Sequence, residues 1–269
     1  MQIHTGVHWS VGVGHKINQD SLVLQHVALQ KGECLLAIVC DGIGSMELSQ
    51  KAGKIAVSHM TDWFYHEGKE LIFQNKSKEI ILLALQHQIG QIQKSLLYFQ
   101  QNHNIITGTT CSGLLIVKNR YYLIHIGDSR IYQIRKNKIP FSKIKYRTRC
   151  LTVDDTDANR GLHKCLGASG TDRAVLETGR VSSDSIFLLC TDGFYGKLDK
   201  GNGREGKAGR NATKGNAAKE DTMGKVLGPL LEQERRQDEA QIERRLELLA
   251  ERARQSGSRD DMSAVCIVV

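Results

Sequence analysis

An α+β fold, with helices laid over sheets, is what the sequence predicts, on three observations. Blocks of strand-like and helix-like pattern alternate along the 269 residues. Two sets of apolar residues in the first half recur at helical spacing, and the strand-like runs between and after them are too apolar to be left uncovered. With only two prolines and no fixed-period repeat, a solenoid is excluded. The length allows one large domain or two small ones and is enough to bury a sizeable core.

Taken in order, "HWSVGVG" (His8–Gly14) and "SLVLQHVAL" (Ser21–Leu29) alternate well enough to form a strand pair around the polar turn "GHKINQDS" (Gly14–Ser21). "CLLAIVC" (Cys34–Cys40) is a short continuous apolar run, the mark of a buried strand. Ala52, Ile55, Ala56, His59, Met60, Trp63 and Phe64 then line one helix face. Leu82, Leu85, Ile89, Ile92, Leu96 and Phe99 line a second, so two amphipathic helices are expected on one sheet. "TTCSGLLIVKNRYYLIHIGDSRIYQIRKNKI" (Thr109–Ile139) reads as a meander rich in β-branched and aromatic residues, with turns at Lys118-Asn119-Arg120 and Lys136-Asn137-Lys138. Thr152–Arg173 is polar and irregular, a surface loop, and "SIFLLC" (Ser185–Cys190) is another buried strand. From Lys200 to about Gly224 there is almost nothing to bury, which predicts a mobile insertion. Ile242, Leu246, Leu249 and Ala253 mark a charged amphipathic helix, and "MSAVCIVV" (Met262–Val269) closes as a strand.

Composition excludes several classes. No apolar run approaches the roughly 18 to 20 residues that span a bilayer, and the N-terminus lacks a basic start followed by an apolar stretch, so a cytoplasmic protein is expected. The seven cysteines are scattered without C-x-x-C spacing and several sit inside apolar runs, which argues against a disulfide framework or a zinc knuckle. The net charge of +8 could suggest nucleic acid, but much of it lies in "KGNGREGKAGRNATKGNAAK" (Lys200–Lys219), which has no aromatic residue to stack on bases.

Chemistry gathers at the strand ends. "LLAIVCDGIG" delivers Asp41, "YYLIHIGDSR" delivers Asp128 and "SIFLLCTDGF" delivers Asp192; Asp260 and Asp261 precede the last apolar run, and Asp20 stands in the opening turn. One strand-end aspartate beside a glycine is a common turn, but carboxylates gathered at the rim of a low-dielectric core repel one another. Such a cluster persists only if protons or cations neutralise it. Carboxylates, a carbonyl freed by glycine and water are the oxygen ligands that suit Mg²⁺ and Mn²⁺.

In this order and at these separations, "NQD", "VCDGIGS", "TGTTCSGLLI", "IGDSRIY", "LLCTDGF" and "SRDDMS" resemble the metal-dependent serine/threonine protein phosphatases of the PP2C (PPM) class in their compact bacterial form. The resemblance covers nearly the whole chain, Lys200 to about Leu231 excepted. It implies one domain over residues 1–269, a sandwich of two antiparallel β-sheets flanked by helix pairs, with the metals at one end. Position by position, Asp41 resembles the carboxylate bridging two Mn²⁺ or Mg²⁺ ions and the Gly42 carbonyl a ligand of the second. Asp192 and Asp260 resemble the remaining ligands of the first ion, Asp20 the aspartate that holds metal-bound water, and Asp128, with Asp192, the site of a third ion. The implied reaction is in-line attack of metal-activated water on a phosphoserine or phosphothreonine ester, with no phosphoenzyme. The implied partners are phosphoproteins made by a bacterial serine/threonine kinase, for an enzyme that acts as a monomer without nucleic acid.

The chain departs from the family in four places. Members usually place an arginine five residues before the aspartate of the first motif, to grip the substrate phosphate; here it is His15, beside Lys16. An arginine fork offers two parallel hydrogen bonds and permanent charge, whereas histidine offers one bond and titrates near neutrality. Either the phosphate contact is weakened, or the substrate or function has changed. A regulatory pseudophosphatase that keeps the fold is the rival reading, opposed by the intact set Asp41, Asp192 and Asp260. Gln19 replaces a common glutamate, and Ile43 stands where animal enzymes have a histidine proposed as general acid; His163 is a candidate substitute or a plain surface residue. The loop Asp154–His163 is shorter than the flap of bacterial relatives, and Arg130 is expected to pair with nearby carboxylates.

Overall fold

A computed structural model describes residues 2–29, 32–139, 145–157, 161–168, 173–198, 222–232 and 239–269. Its ten strands form two antiparallel sheets. One has the order β1 (His4–Ser10), β10 (Met262–Val268), β9 (Ser185–Cys190), β6 (Arg130–Lys136), β7 (Tyr146–Cys150). The other has the order β2 (Ser21–Leu29), β3 (Gly32–Cys40), β4 (Cys111–Val117), β5 (Arg120–Ile126), β8 (Val175–Arg180). Helices α1 (Ser49–Trp63), α2 (Lys69–Phe73) and α3 (Lys78–His103) belong to the second sheet's side of the molecule, and the short α4 (Asp192–Tyr195), α5 (Thr222–Leu227) and α6 (Glu239–Gln255) to the first.

The layers follow from residue alternation. On β3, Leu35, Ala37 and Val39 face the other sheet, meeting Phe187, Leu189, Val265 and Ile267 in the core between the sheets. Their neighbours Cys34, Leu36, Ile38 and Cys40 face outward, onto Ala52, Ala56 and Met60 of α1 and Leu85, Ile92 and Leu96 of α3. A strand buried on both faces has no place for a polar residue, hence the unbroken run. On the other side Ile186, Leu188, Ala264 and Cys266 lie under Ile242, Leu246 and Leu249 of α6. None of the seven cysteines forms a disulfide and six are buried, packing as small hydrophobes. Among the described residues no helix is long and apolar enough to cross a membrane.

Four expectations need correction. The opening strands do not pair with each other: β1 pairs with β10 and β2 with β3, so the turn between them carries the chain from one sheet to the other. Their alternation was sound but local pattern does not choose a partner, and the turn is fastened to the loop before β10 instead. The meander also breaks, because β4 and β5 pair while β6 joins the other sheet. The break falls at Gly127, whose φ of +109° favours glycine. Strands β7 and β8 were hidden in polar stretches; both are sheet edges, where one side is solvated and apolar alternation is not demanded. Finally, the glycine-rich stretch expected to run to about Gly224 lies mostly outside the described residues, and α5 begins at Thr222, held by burial of Met223, Val226 and Leu227.

Antiparallel pairing brings particular strand ends together. Ser10 pairs with Met262, Ala264 with Cys190, Cys190 with Arg130, Ser21 with Cys40, and Cys111 with Ile126. The residues just beyond these ends, Asp20, Asp41, Asp128, Asp192 and Asp260, therefore share one end of the sandwich.

Candidate metal centre

Asp41 leaves β3 under tight backbone control. Its N–H donates to Thr110 Oγ1 at 2.8 Å, and its carbonyl accepts from Thr109 Oγ1 and from the Thr110 N–H, each at 2.9 Å. Thr110 Oγ1 also lies 2.7 Å from Ser129 Oγ, tying the loop of Asp41 to the loop of Asp128. Gly42 is wedged in: a Cβ there would come within 2.7 Å of the Gln19 carbonyl oxygen and 2.8 Å of Ser49 backbone atoms. Asp20 is buried, its N–H donating to Asn18 Oδ1 and its Oδ2 accepting from Thr191 Oγ1, both at 2.8 Å. Asp192 begins α4 directly after Thr191, and three residues on, the Tyr195 hydroxyl donates to the Asp128 carbonyl at 2.8 Å.

Arg130 does pair with a carboxylate, as its position beside Asp128 suggests. It forms a two-pronged contact with Asp154, Nε to Oδ1 at 2.9 Å and Nη2 to Oδ2 at 2.7 Å, while its guanidinium lies 4.1 Å from the Tyr195 ring centroid. This places one fixed positive charge near Asp128, where it opposes the rise in that group's pKa.

The electrostatics show how close the aspartates are. Burial pushes Asp20 up to about 7, with Asp261 and Asp192 adding to the shift. Burial, then Asp192 and Asp154, raise Asp128 to about 7. Asp41 is raised well above the ordinary carboxyl range by burial and then by Asp20, Asp192 and Asp128. Asp192 is itself raised, by burial and then by Asp260. Asp20, Asp128 and Asp192 each make Asp41 harder to ionise, so the four are electrostatically linked, and an all-oxygen donor set of this kind fits hard divalent cations such as Mg²⁺ and Mn²⁺.

Two predicted residues stand differently. Asp260 is exposed, and its Oδ1 accepts from the Asp261 N–H at 2.8 Å. His15 is also exposed, with Nδ1 3.2 Å from Asp261 Oδ1. Among the described residues, the three potential ligand side chains whose donor atoms lie within 4.8 Å of one another are His15, Asp260 and Asp261, not Asp41, Asp192 and Asp260. His163 is exposed on its loop, bound through its backbone N–H to the Asp155 carbonyl at 2.7 Å.

Sequence reasoning missed the hydroxyl residues that hold the carboxylates: Thr109, Thr110, Ser129, Thr191 and Tyr195. Their only trace was their place inside the quoted motifs, next to the aspartates. It also missed Asp261 as anything more than half of an acidic pair.

The sequence profile described as Protein phosphatase 2C matches residues 13–247. Comparison with curated proteins finds no match. Among solved structures, a serine/threonine phosphatase of S. agalactiae is similar at 17% identity and a TM-score of 0.71, covering 100% of both chains. The serine/threonine phosphatase Stp1 of Staphylococcus aureus is similar at 16% identity and a TM-score of 0.72, covering 100% of this chain and 96% of its own. The catalytic domain of the phosphatase PstP, in complex with two manganese ions, is similar at 18% identity and a TM-score of 0.68, covering 99% of this chain and 97% of its own.

Proposed function

The chain belongs to the protein phosphatase 2C family, and on that premise we propose that it is a metal-dependent phosphatase of phosphoserine and phosphothreonine in proteins. The observation that carries the reading is the convergence of Asp20, Asp41, Asp128 and Asp192 at one end of the sandwich, each raised in pKa first by burial and then by neighbouring carboxylates. An acidic cluster at the rim of a core has to be neutralised, and a family neighbour is described with two manganese ions.

In this reading Asp41, the Gly42 carbonyl, Asp192 and Asp260 would hold two Mn²⁺ or Mg²⁺ ions, Asp20 would act through water, and Asp128 with Asp192 would hold a third ion. When bound, the ions supply a water acidic enough to attack phosphorus at neutral pH and positive charge for the phosphoryl oxygens. The chain's own contribution is placement. Thr109 and Thr110 hold Asp41 from both sides of its peptide, and Thr191 holds Oδ2 of Asp20. His15, on the exposed turn, is the phosphate contact, with Lys16 adding charge beside it. Phosphoproteins made by a bacterial serine/threonine kinase are the substrate class, and a cytoplasmic monomer is the form in which the enzyme meets them.

The test is hydrolysis of a phosphothreonine peptide with Mn²⁺, with EDTA, and by Asp192→Ala. Activity is expected with Mn²⁺ alone, and a loss of roughly 100-fold or more in the variant, the order seen when a group stabilising transition-state charge is removed. Metal-independent activity, or none in any condition, overturns the proposal.

A further inference from the structure

Asp261 is a carboxylate outside the proposed ligand set, and its side chain is only 3% exposed. Both of its oxygens are used. Oδ1 accepts the Gly12 N–H at 2.6 Å, and Oδ2 accepts the Gln19 N–H at 2.8 Å. His15 Nδ1 also lies 3.2 Å from Oδ1. The two amides bracket the turn that crosses between the sheets, so a single side chain holds both ends of that turn, and Asp20 is the next residue. A second bond, from the Val13 N–H to the Arg259 carbonyl at 2.7 Å, runs alongside. The fit leaves no room at Gly12, where a Cβ would come within 2.5 Å of the Arg259 carbonyl oxygen.

The backbone of Asp261 reaches the other carboxylates. Its N–H donates to Asp260 Oδ1 at 2.8 Å, which fixes that carboxylate's rotation and leaves Oδ2 for another partner. Its carbonyl oxygen lies so near Gly193 that a Cβ there would be 2.0 Å away, which seats the start of α4, and with it Asp192, against the same residue.

We infer that Asp261 is a positioning residue: through the Gly12 and Gln19 amides, the Asp260 carboxylate and the Gly193 contact, it sets Asp20, Asp260 and Asp192 at their mutual spacing for divalent cations. The role suits a carboxylate because it accepts at both oxygens. An asparagine accepts at one, and its NH₂ group would face a backbone N–H. The inference rests on the reading of these aspartates as metal ligands.

The test combines two readouts on the full chain, for Asp261→Ala and Asp261→Asn. Amide exchange in the metal-free protein reports the clamp: the Gly12 and Gln19 amides are expected to exchange at least 10-fold faster in Asp261→Ala, and one of the two in Asp261→Asn. Calorimetric titration with Mn²⁺ reports the positioning: affinity is expected to fall at least 10-fold in Asp261→Ala and less in Asp261→Asn. Leu85→Ala, which empties a core site under the other sheet, serves as a control for lost stability and is expected to keep wild-type Mn²⁺ affinity. Should Asp261→Ala not fold, Asp261→Asn decides both points. Wild-type protection and Mn²⁺ affinity in the variants, beside a wild type that binds Mn²⁺, would overturn the positioning role alone. A wild type that binds no Mn²⁺ would overturn the metal reading and this inference with it. Loss of affinity equal to that of Leu85→Ala would show a purely structural role and also overturn it.

Discussion

His15 stands where the family places an arginine, and on its exposed turn its Nδ1 lies 3.2 Å from Asp261 Oδ1. A guanidinium at that position would reach farther, remain charged at every working pH and grip phosphate with two parallel hydrogen bonds. His15→Arg is therefore expected to raise kcat/KM on a phosphothreonine peptide several-fold, most of it through KM and most of it at pH 8; equal activity of the two proteins at pH 8 would refute the assignment of His15 as phosphate contact. At this scale the sequence was legible where chemistry repeats. Asp41, Asp128 and Asp192 announced themselves by following three apolar runs beside a glycine. Thr191 did not, because a threonine that donates to an aspartate 171 positions away has no local signature. Asp261 was missed for the same reason: its partners Gly12 and Gln19 are 249 and 242 positions away.

Strands and helices with a buried face were readable, and those without one were not. β3, β9 and β10 appeared as continuous apolar runs because both of their faces are covered, and α1, α3 and α6 as periodic stripes because one face is. β7 and β8, solvated edge strands, left no such pattern. Which sheet a strand joins was equally hidden, since alternation fixes the face of a strand and not its neighbour. Gly127 is where that choice is made between β5 and β6. Its φ is +109°, its N–H and carbonyl bond to Asp155 at 3.1 and 2.8 Å, and a Cβ would come within 2.6 Å of Thr110 Cβ. Gly127→Ala must either strain the turn or displace Thr110, which holds Asp41. A loss of about 2 kcal/mol or more in urea unfolding is expected, together with weaker Mn²⁺-supported activity. A variant of unchanged stability would show that the crossover tolerates a side chain and that its sharpness does not depend on glycine.

The whole molecule carries a charge conflict that its pH response should expose. Burial holds Asp20 at about 7, far above its value in an unfolded chain. Such a group contributes most to folding below its unfolded value, where both states are protonated, and this contribution is lost progressively as pH rises from there through about 7. The metal-free protein is thus expected to lose stability between pH 5 and pH 8, by about 3 kcal/mol from Asp20 alone at one pH-unit's worth of 1.4 kcal/mol each. For a chain of this length that corresponds to a fall in Tm of roughly 6 to 10 °C in EDTA. Asp41, Asp128 and Asp192 are raised as well and act in the same direction. Mn²⁺ replaces the protons, so it should stabilise little at pH 5 and most at pH 8, where the cluster is fully charged and no proton has to be displaced. Thermal unfolding at the two pH values, with EDTA and with Mn²⁺, separates this from ordinary acid or base sensitivity. A Tm in EDTA that is flat or rising from pH 5 to pH 8, or a Mn²⁺ shift that is larger at pH 5, would mean that the aspartates at this end of the sandwich do not share their charge as one site.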